Sequence, residues 1–169
     1  METLQAIATR RSIRKFTGKD IPDELITKLL EAAMYAPSAR NTQPWHFVVI
    51  NERQFLDKIP RIHPYAEMCY DAGAAIMVCG DYNLEKLEGY IALDCAAATQ
   101  NILLAAHDLG LGSVWLGVYP RRERMEPLVK LVGLPESIIP VSLVALGYPA
   151  EKISFRIRFK EEKIHYNKW

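Results

Sequence analysis

A single α+β domain is what this 169-residue chain predicts, on three observations. Four apolar runs of strand length, near 46–50, 74–79, 113–118 and 139–147, are separated by stretches whose apolar residues recur every three or four positions. Half of the residues are hydrophobic, enough for one core, and the length is too short for two ordinary domains. No internal repeat, low-complexity segment or linker divides the chain, so the domain is read as residues 1–169.

Leu4, Ile7 and Ala8 fall at helical spacing, which predicts a short helix over 2–9 that delivers Arg10. Gly18 supplies backbone freedom for a turn over 17–20. Pro22, Asp23 and Glu24 read as a helix start, because proline is tolerated in a first turn and carboxylates favour the positive end of the dipole. Leu25, Ile26, Leu29, Leu30 and Ala33 continue it as one apolar stripe that stops near Ala36-Pro37.

The polar loop 36–45 is fenced by Pro37 and Pro44 and leads into a β-rich run at 46–50. A short helix is expected over 54–59 and irregular chain over 60–64. The run 74–79 is continuously apolar, as a strand buried on both faces should be, and Gly80-Asp81 are expected to end it. The longest helical pattern, 85–109, is apolar on more than one face; part of its cover is expected from a second subunit.

Strands over 113–118 and 139–147 flank a helix over 122–132, where Pro127 predicts a late start or a break. Beyond Tyr148 helical period is lost. Residues 155–159 alternate in character, and 161–169 form a charged tail with aromatic residues at its tip.

Charge is nearly balanced, 21 basic against 20 acidic residues, so no whole-molecule field draws the chain to nucleic acid or to acidic membranes. The longest apolar stretch contains Asp94, Gln100, Asn101, His107 and Asp108, which argues against a membrane span. Cys69, Cys79 and Cys95 are odd in number and share no C-x-x-C spacing; they read as small buried hydrophobes of a reducing cytoplasm. No secretory signal is visible at 1–10.

Against this neutral background Arg10-Arg11-Ser12-Ile13-Arg14 stands out, three guanidiniums and a hydroxyl in five residues. Guanidinium forks match phosphate oxygens, so the cluster points to a phosphate-bearing cofactor. The alternative is a solvated basic face. Ser38, Asn41 and Gln43 in the proline-fenced loop offer groups that read a heteroaromatic edge rather than transfer protons.

Other chemistries lack their residues. Gly110-Leu111-Gly112 follows a helix and has Trp115 where a dinucleotide fingerprint needs its third glycine. There is no P-loop, no G-x-S-x-G elbow and no metal-ligand spacing among His46, His63, His107 and His165. A phosphorylated heterocycle held without a metal, itself carrying the chemistry, is the reading that remains.

The sequence resembles the nitroreductase family of FMN-dependent oxidoreductases over nearly its whole length. The resemblance rests on Arg10 to Phe16, on Ala36 to Trp45, on Leu109 to Trp115, and on Arg158-Phe159, His165 and Trp169. It implies a nitroreductase-like fold, a central mixed β-sheet flanked by helices, and a homodimer with an exchanged C-terminal segment and two FMN sites at the interface.

It further implies that Arg10, Arg11, Ser12 and Arg158 gather at the FMN phosphate and ribityl end, and that Arg14 lies near the pyrimidine side. Pro37, Ser38, Ala39 and Asn41 of the partner would line the ring, and Leu116 and Gly117 would pass behind it. No residue is expected to be an obligate acid or base. The implied activity is hydride transfer from NADH or NADPH through FMN to a small-molecule electron acceptor. Rival readings are an FMN store or sensor, a flavin-fragmenting or dehalogenating relative, and a nucleic-acid binder, the last disfavoured by the neutral charge.

Overall fold

The computed structural model of the protein describes residues 1–154 and 157–169; Phe155 and Arg156, the start of the alternating run, lie outside the described residues. Helix α1 spans Thr3–Thr9 and α2 spans Asp23–Met34, with Pro22 as the residue before its first turn. Strand β1 (Trp45–Ile50) follows, then two single-turn helices, α3 (Arg53–Leu56) and α4 (Ile59–Ile62). Strand β2 (Ala74–Asp81), the long helix α5 (Glu88–Asp108), β3 (Gly112–Gly117), α6 (Arg122–Val132) and β4 (Ile138–Gly147) complete the domain.

Three expectations change in detail. Pro60 belongs to α4 rather than to irregular chain, because it sits in a first turn where its missing N–H costs nothing. Helix α6 is continuous through Pro127, which lies early enough to remove only the bond to the Glu123 carbonyl. Strand β2 runs on through Gly80 and Asp81, since a Cβ at residue 80 would collide with Ile91 of α5 and the bare glycine lets helix and strand touch.

The sheet has the order β1-β2-β4-β3, and all of its ladders are antiparallel. The parallel component expected of a mixed sheet is confined, among the described residues, to one bridge between Ser12 and Ser113. Continuous apolar runs report helical cover on both faces, which is commonest in parallel sheets but is here given to an antiparallel one.

Alternation along β2 sends Ala74, Ile76 and Val78 toward α2 and α5, and Ala75, Met77 and Cys79 toward α3, α4 and α6. The central strand β4 tolerates Pro140 because the register shifts there: Val78 faces Ser142 while Cys79 faces Pro140. Helix α5 buries Ile91, Cys95, Ala98, Ile102 and Ala106 on its own sheet and leaves Leu93 66 % exposed on the far side. All three cysteines are buried, and burial pushes each thiol up to about 12.

Candidate active site

The arginine-rich segment leaves α1 in extended conformation and lies along the outer edge of β3, where the Ile13 N–H donates to the Ser113 carbonyl at 2.9 Å. Extended chain alternates its side chains. Arg11 and Ile13 line one side, a cavity of about 410 Å³ shared with His107, Ser113 and Glu151. The intervening Arg10, Ser12 and Arg14 take no part in that lining. Arg11 is folded back across the end of α1, donating to the carbonyls of Ala8 (2.8 Å) and Arg10 (2.7 Å).

Two in-register glycines seat this segment. Gly112 pairs with Gly147, and a Cβ on Gly147 would lie 2.7 Å from Cγ of Phe16, one on Gly112 2.8 Å from Cγ2 of Ile13. The Gly110-Leu111-Gly112 sequence is therefore a helix stop followed by a docking surface for Ile13 and Phe16. Gly110 takes the left-handed φ of 76° that ends the helix.

Positive charge converges from both ends of the chain. Burial lowers the affinity of Arg10 for its proton, and the charges of Arg158 and then Arg11 lower it further. A half-buried Arg10 that feels the positive charge of both Arg158 and Arg11 is a site that an anion stabilises. His107 is shifted down by burial and by Arg10, so it stays neutral and adds no further charge.

Glu151 holds Arg14 in place from the backbone, its Oε1 accepting from the N–H groups of Arg14 (2.6 Å) and Lys15 (3.1 Å). The Phe16–Pro149 bridge and the Ala150 N–H donated to the Lys15 carbonyl (2.8 Å) continue that seam. The C-terminal segment therefore starts toward Arg158 from beside the arginine cluster. Glu151 and Arg14 are too far apart in sequence for any spacing to reveal the contact.

Strand β3 is a sheet edge. Ser113 turns its carbonyl outward to Ile13, so Trp115 and Gly117, two and four residues on, turn their backbone groups outward as well. At the far end the Gly117 carbonyl accepts from Arg124 Nη1 (2.7 Å) and lies 2.9 Å from His63 Nε2. His63 Nδ1 accepts the Tyr65 N–H (3.2 Å), which leaves Nε2 as the protonated nitrogen and a donor to Gly117. Leu116 is buried, whereas Gly117 is exposed and a Cβ there would meet only Arg124, at 4.0 Å. His63 and Arg124 carried no sequence signal, His63 being the residue that caps α4 and Arg124 a residue of α6.

His63 is buried and its proton affinity is lowered by desolvation first, then by Arg124, against the opposing Gly117 bond. Folded protein thus keeps it neutral where unfolded chain charges it. Thermal stability is expected to fall as pH drops below about 6.5, by at most about 1.4 kcal/mol per pH unit for each such histidine. His107 is shifted in the same direction. His63→Gln should flatten the dependence of the melting midpoint between about pH 6.5 and 5; an unchanged slope would remove His63 from this account.

The proline-fenced loop sits elsewhere. A single 3-10 turn, Ala39–Asn41, packs on the N-terminal half of α5, where the Ala39 N–H donates to Asp94 Oδ1 at 3.1 Å. Pro37 and Asn41 are exposed, Ser38 and Ala39 half-buried, and Ser38 Oγ accepts the Gln43 N–H at 2.9 Å. Thr9 of the arginine end reaches His107, 2.8 Å away, thirteen residues further along α5 than Asp94, or about 20 Å at helical rise. One protomer therefore does not bring Pro37, Ser38, Ala39 and Asn41 to Arg10 and Ser12.

Among the described residues no group of three or more His, Cys, Asp or Glu is placed to hold a metal, and no helix is long and apolar enough to cross a membrane. Comparison with known proteins completes the picture. The Nitroreductase family profile matches residues 7–66 and 61–148. A Methanothermobacter thermautotrophicus protein named "Putative NADH dehydrogenase/NAD(P)H nitroreductase" is 53% identical over 169 residues, covering 100% of this chain and 88% of that one. The crystal structure of a Parabacteroides distasonis protein of the same name superposes with a TM-score of 0.94 at 40% identity, covering 99% of this chain and 98% of that one. An FMN-bound structure from Desulfovibrio desulfuricans superposes with a TM-score of 0.85 at 32% identity, covering 100% of this chain and 99% of that one. By its sequence and its fold, the chain belongs to the nitroreductase family.

Proposed function

We propose that this protein is an FMN-dependent oxidoreductase that takes hydride from NADH or NADPH and, in a second step at the same site, passes it to an electron-poor acceptor such as a nitroaromatic or a quinone. The observation that carries the reading is the seating of the arginine segment along the edge strand β3, with Arg158 near enough to lower the proton affinity of Arg10: this supports a phosphate at the arginine end and a flat ring further along the same strand. Support for FMN and for a nicotinamide donor also comes from relatives, among them a Bacillus subtilis protein named "FMN reductase [NAD(P)H]" (25% identical) and the FMN complex above.

The residues present fit the cofactor. Arg10, Ser12 and Arg158 would hold its phosphate by charge-assisted bonds. Arg14, its backbone fixed by Glu151, would set a permanent positive charge at the pyrimidine side. The outward backbone of Trp115 and Gly117, with Leu116 buried beneath, would run along the ring. Pro37, Ser38, Ala39 and Asn41 of a second protomer would cover it, since one protomer cannot, so the working unit is a homodimer with two sites.

FMN, when bound, would supply the redox chemistry that carries hydride from the nicotinamide to the acceptor. The protein's own part is to orient donor and acceptor over one face and to keep the phosphate end fixed. Neutral His63 and the engaged Arg124 hold the Gly117 backbone and move no proton.

Purified protein is expected to be yellow and to bleach with NADH or NADPH in the absence of oxygen, then to recover its colour when a quinone or nitroaromatic compound is added. Flavin uptake without bleaching would replace the enzyme reading with storage or sensing. A colourless protein that refuses added FMN would end the flavin reading.

A further inference from the structure

The loop that carries Ser38, Ala39 and Asn41 is held in a costly conformation. Arg40, Asn41 and Gln43 have φ of 53°, 57° and 47°, three side-chain-bearing residues in the left-handed region within four positions. Such backbone persists only where surrounding contacts over-determine it, and it concentrates at ligand-binding segments.

Inside the loop the Ser38 carbonyl and Oγ accept the Asn41 and Gln43 N–H groups; from outside, two buried carboxylates anchor it. Glu85 is 1 % exposed; its Oε2 accepts from Arg40 Nη2 at 2.6 Å and its Oε1 accepts the Leu87 N–H at 2.8 Å. Those bonds hold Glu85 below the usual carboxylate range, the Leu87 bond being the larger cause and the Arg40 bond the next. Asp94 is 6 % exposed, takes the Ala39 N–H on Oδ1, and has no partner on the buried Oδ2. Tyr90 lies beneath the Arg40 guanidinium, 6.0 Å from it. The Arg40 side chain itself is 68 % exposed, so its ion pair with the buried Glu85 anchors the turn beneath it rather than filling core.

We propose that Glu85 is a positioning residue for flavin binding: through Arg40 it locks the left-handed turn that presents Ser38, Ala39 and Asn41 to the isoalloxazine, with Asp94 holding the neighbouring Ala39 N–H. The inference rests on the reading that this loop lines an FMN ring. It separates ring contact from phosphate contact, and that separation makes it testable.

The test is titration of the full-length protein with FMN and with riboflavin, which keeps the ring and lacks the phosphate. Glu85→Ala and Arg40→Ala should each weaken both flavins by the same factor, about 10-fold, and the double variant should lose no more than either single one, because they act as one unit. Arg40→Gly removes the same ion pair but adopts a positive φ freely, so it should recover most of the affinity that Arg40→Ala loses. A role in stability alone would move the melting midpoint of these variants without distinguishing Ala from Gly in flavin affinity.

Should Glu85→Ala fail to fold, the Arg40 pair carries the test, its side chain lying outside the core. Unchanged riboflavin affinity in Arg40→Ala, or equal affinities in the Ala and Gly variants, overturns the inference alone. Wild-type protein that takes up neither flavin overturns both it and the reading beneath it.

Discussion

Arg10→Ala is expected to weaken FMN binding by about 10- to 100-fold while leaving riboflavin binding unchanged, since a hydrogen bond to a charged group is worth roughly 1.5–3 kcal/mol and each 1.4 kcal/mol is tenfold. Riboflavin has no phosphate for Arg10 to hold, so the two titrations together isolate that contact. Arg158→Ala should behave the same way, and the wild-type preference for FMN should shrink as salt is added, as exposed charge–charge contacts do. Arg10 is already disfavoured as a cation by burial and by Arg158, so its removal relieves repulsion in the empty protein. Far-UV circular dichroism and dimer mass should not change. Undiminished FMN retention in both variants would show that the guanidiniums gather there for another anion.

Mixed dimers give the second large effect. Arg10→Ala damages the phosphate end and Ala39→Glu pushes a bulky anion from the loop into the ring space, so each homodimer should bind FMN poorly at both sites. If the loop serves the site of the other protomer, a heterodimer of the two has one site with both lesions and one with neither. Tandem-tag purification of heterodimers should therefore recover half of the wild-type stoichiometry at wild-type affinity. If each loop served its own protomer, every site would keep one lesion and nothing would be recovered. The separation of about 20 Å between loop and arginine cluster along α5 favours recovery.

Strand and helix assignments were legible wherever a period ran uninterrupted. The apolar run over 74–79 and the stripe Leu25, Ile26, Leu29 and Ala33 marked β2 and α2 because burial on a pleat or a helix face imposes its own repeat. Among the places that misled were two prolines: Pro60 and Pro127 sit inside helices where only one or no hydrogen bond is lost, a matter of position within the turn that residue type does not reveal. The arginine segment was legible as an anion site for a reason of composition, three guanidiniums in a chain otherwise balanced in charge. Its division into two sides, with Arg11 and Ile13 lining the cavity that His107 shares and Arg10, Ser12 and Arg14 outside it, needed the extended backbone that the Ser12–Ser113 bridge imposes.

What the amino-acid order determined by itself is the class of fold and the chemistry on offer: alternation and helical spacing are local, and so are a cluster of cations and a loop rich in polar groups. What only the tertiary structure decided is who meets whom. Glu151 reaches Arg14, His63 reaches Gly117, and Glu85 reaches Arg40, across separations of 137, 54 and 45 residues at which no repeat survives. Such contacts are set by the packing of helices on a sheet, a property of the whole core, and single stretches of chain carry no record of it.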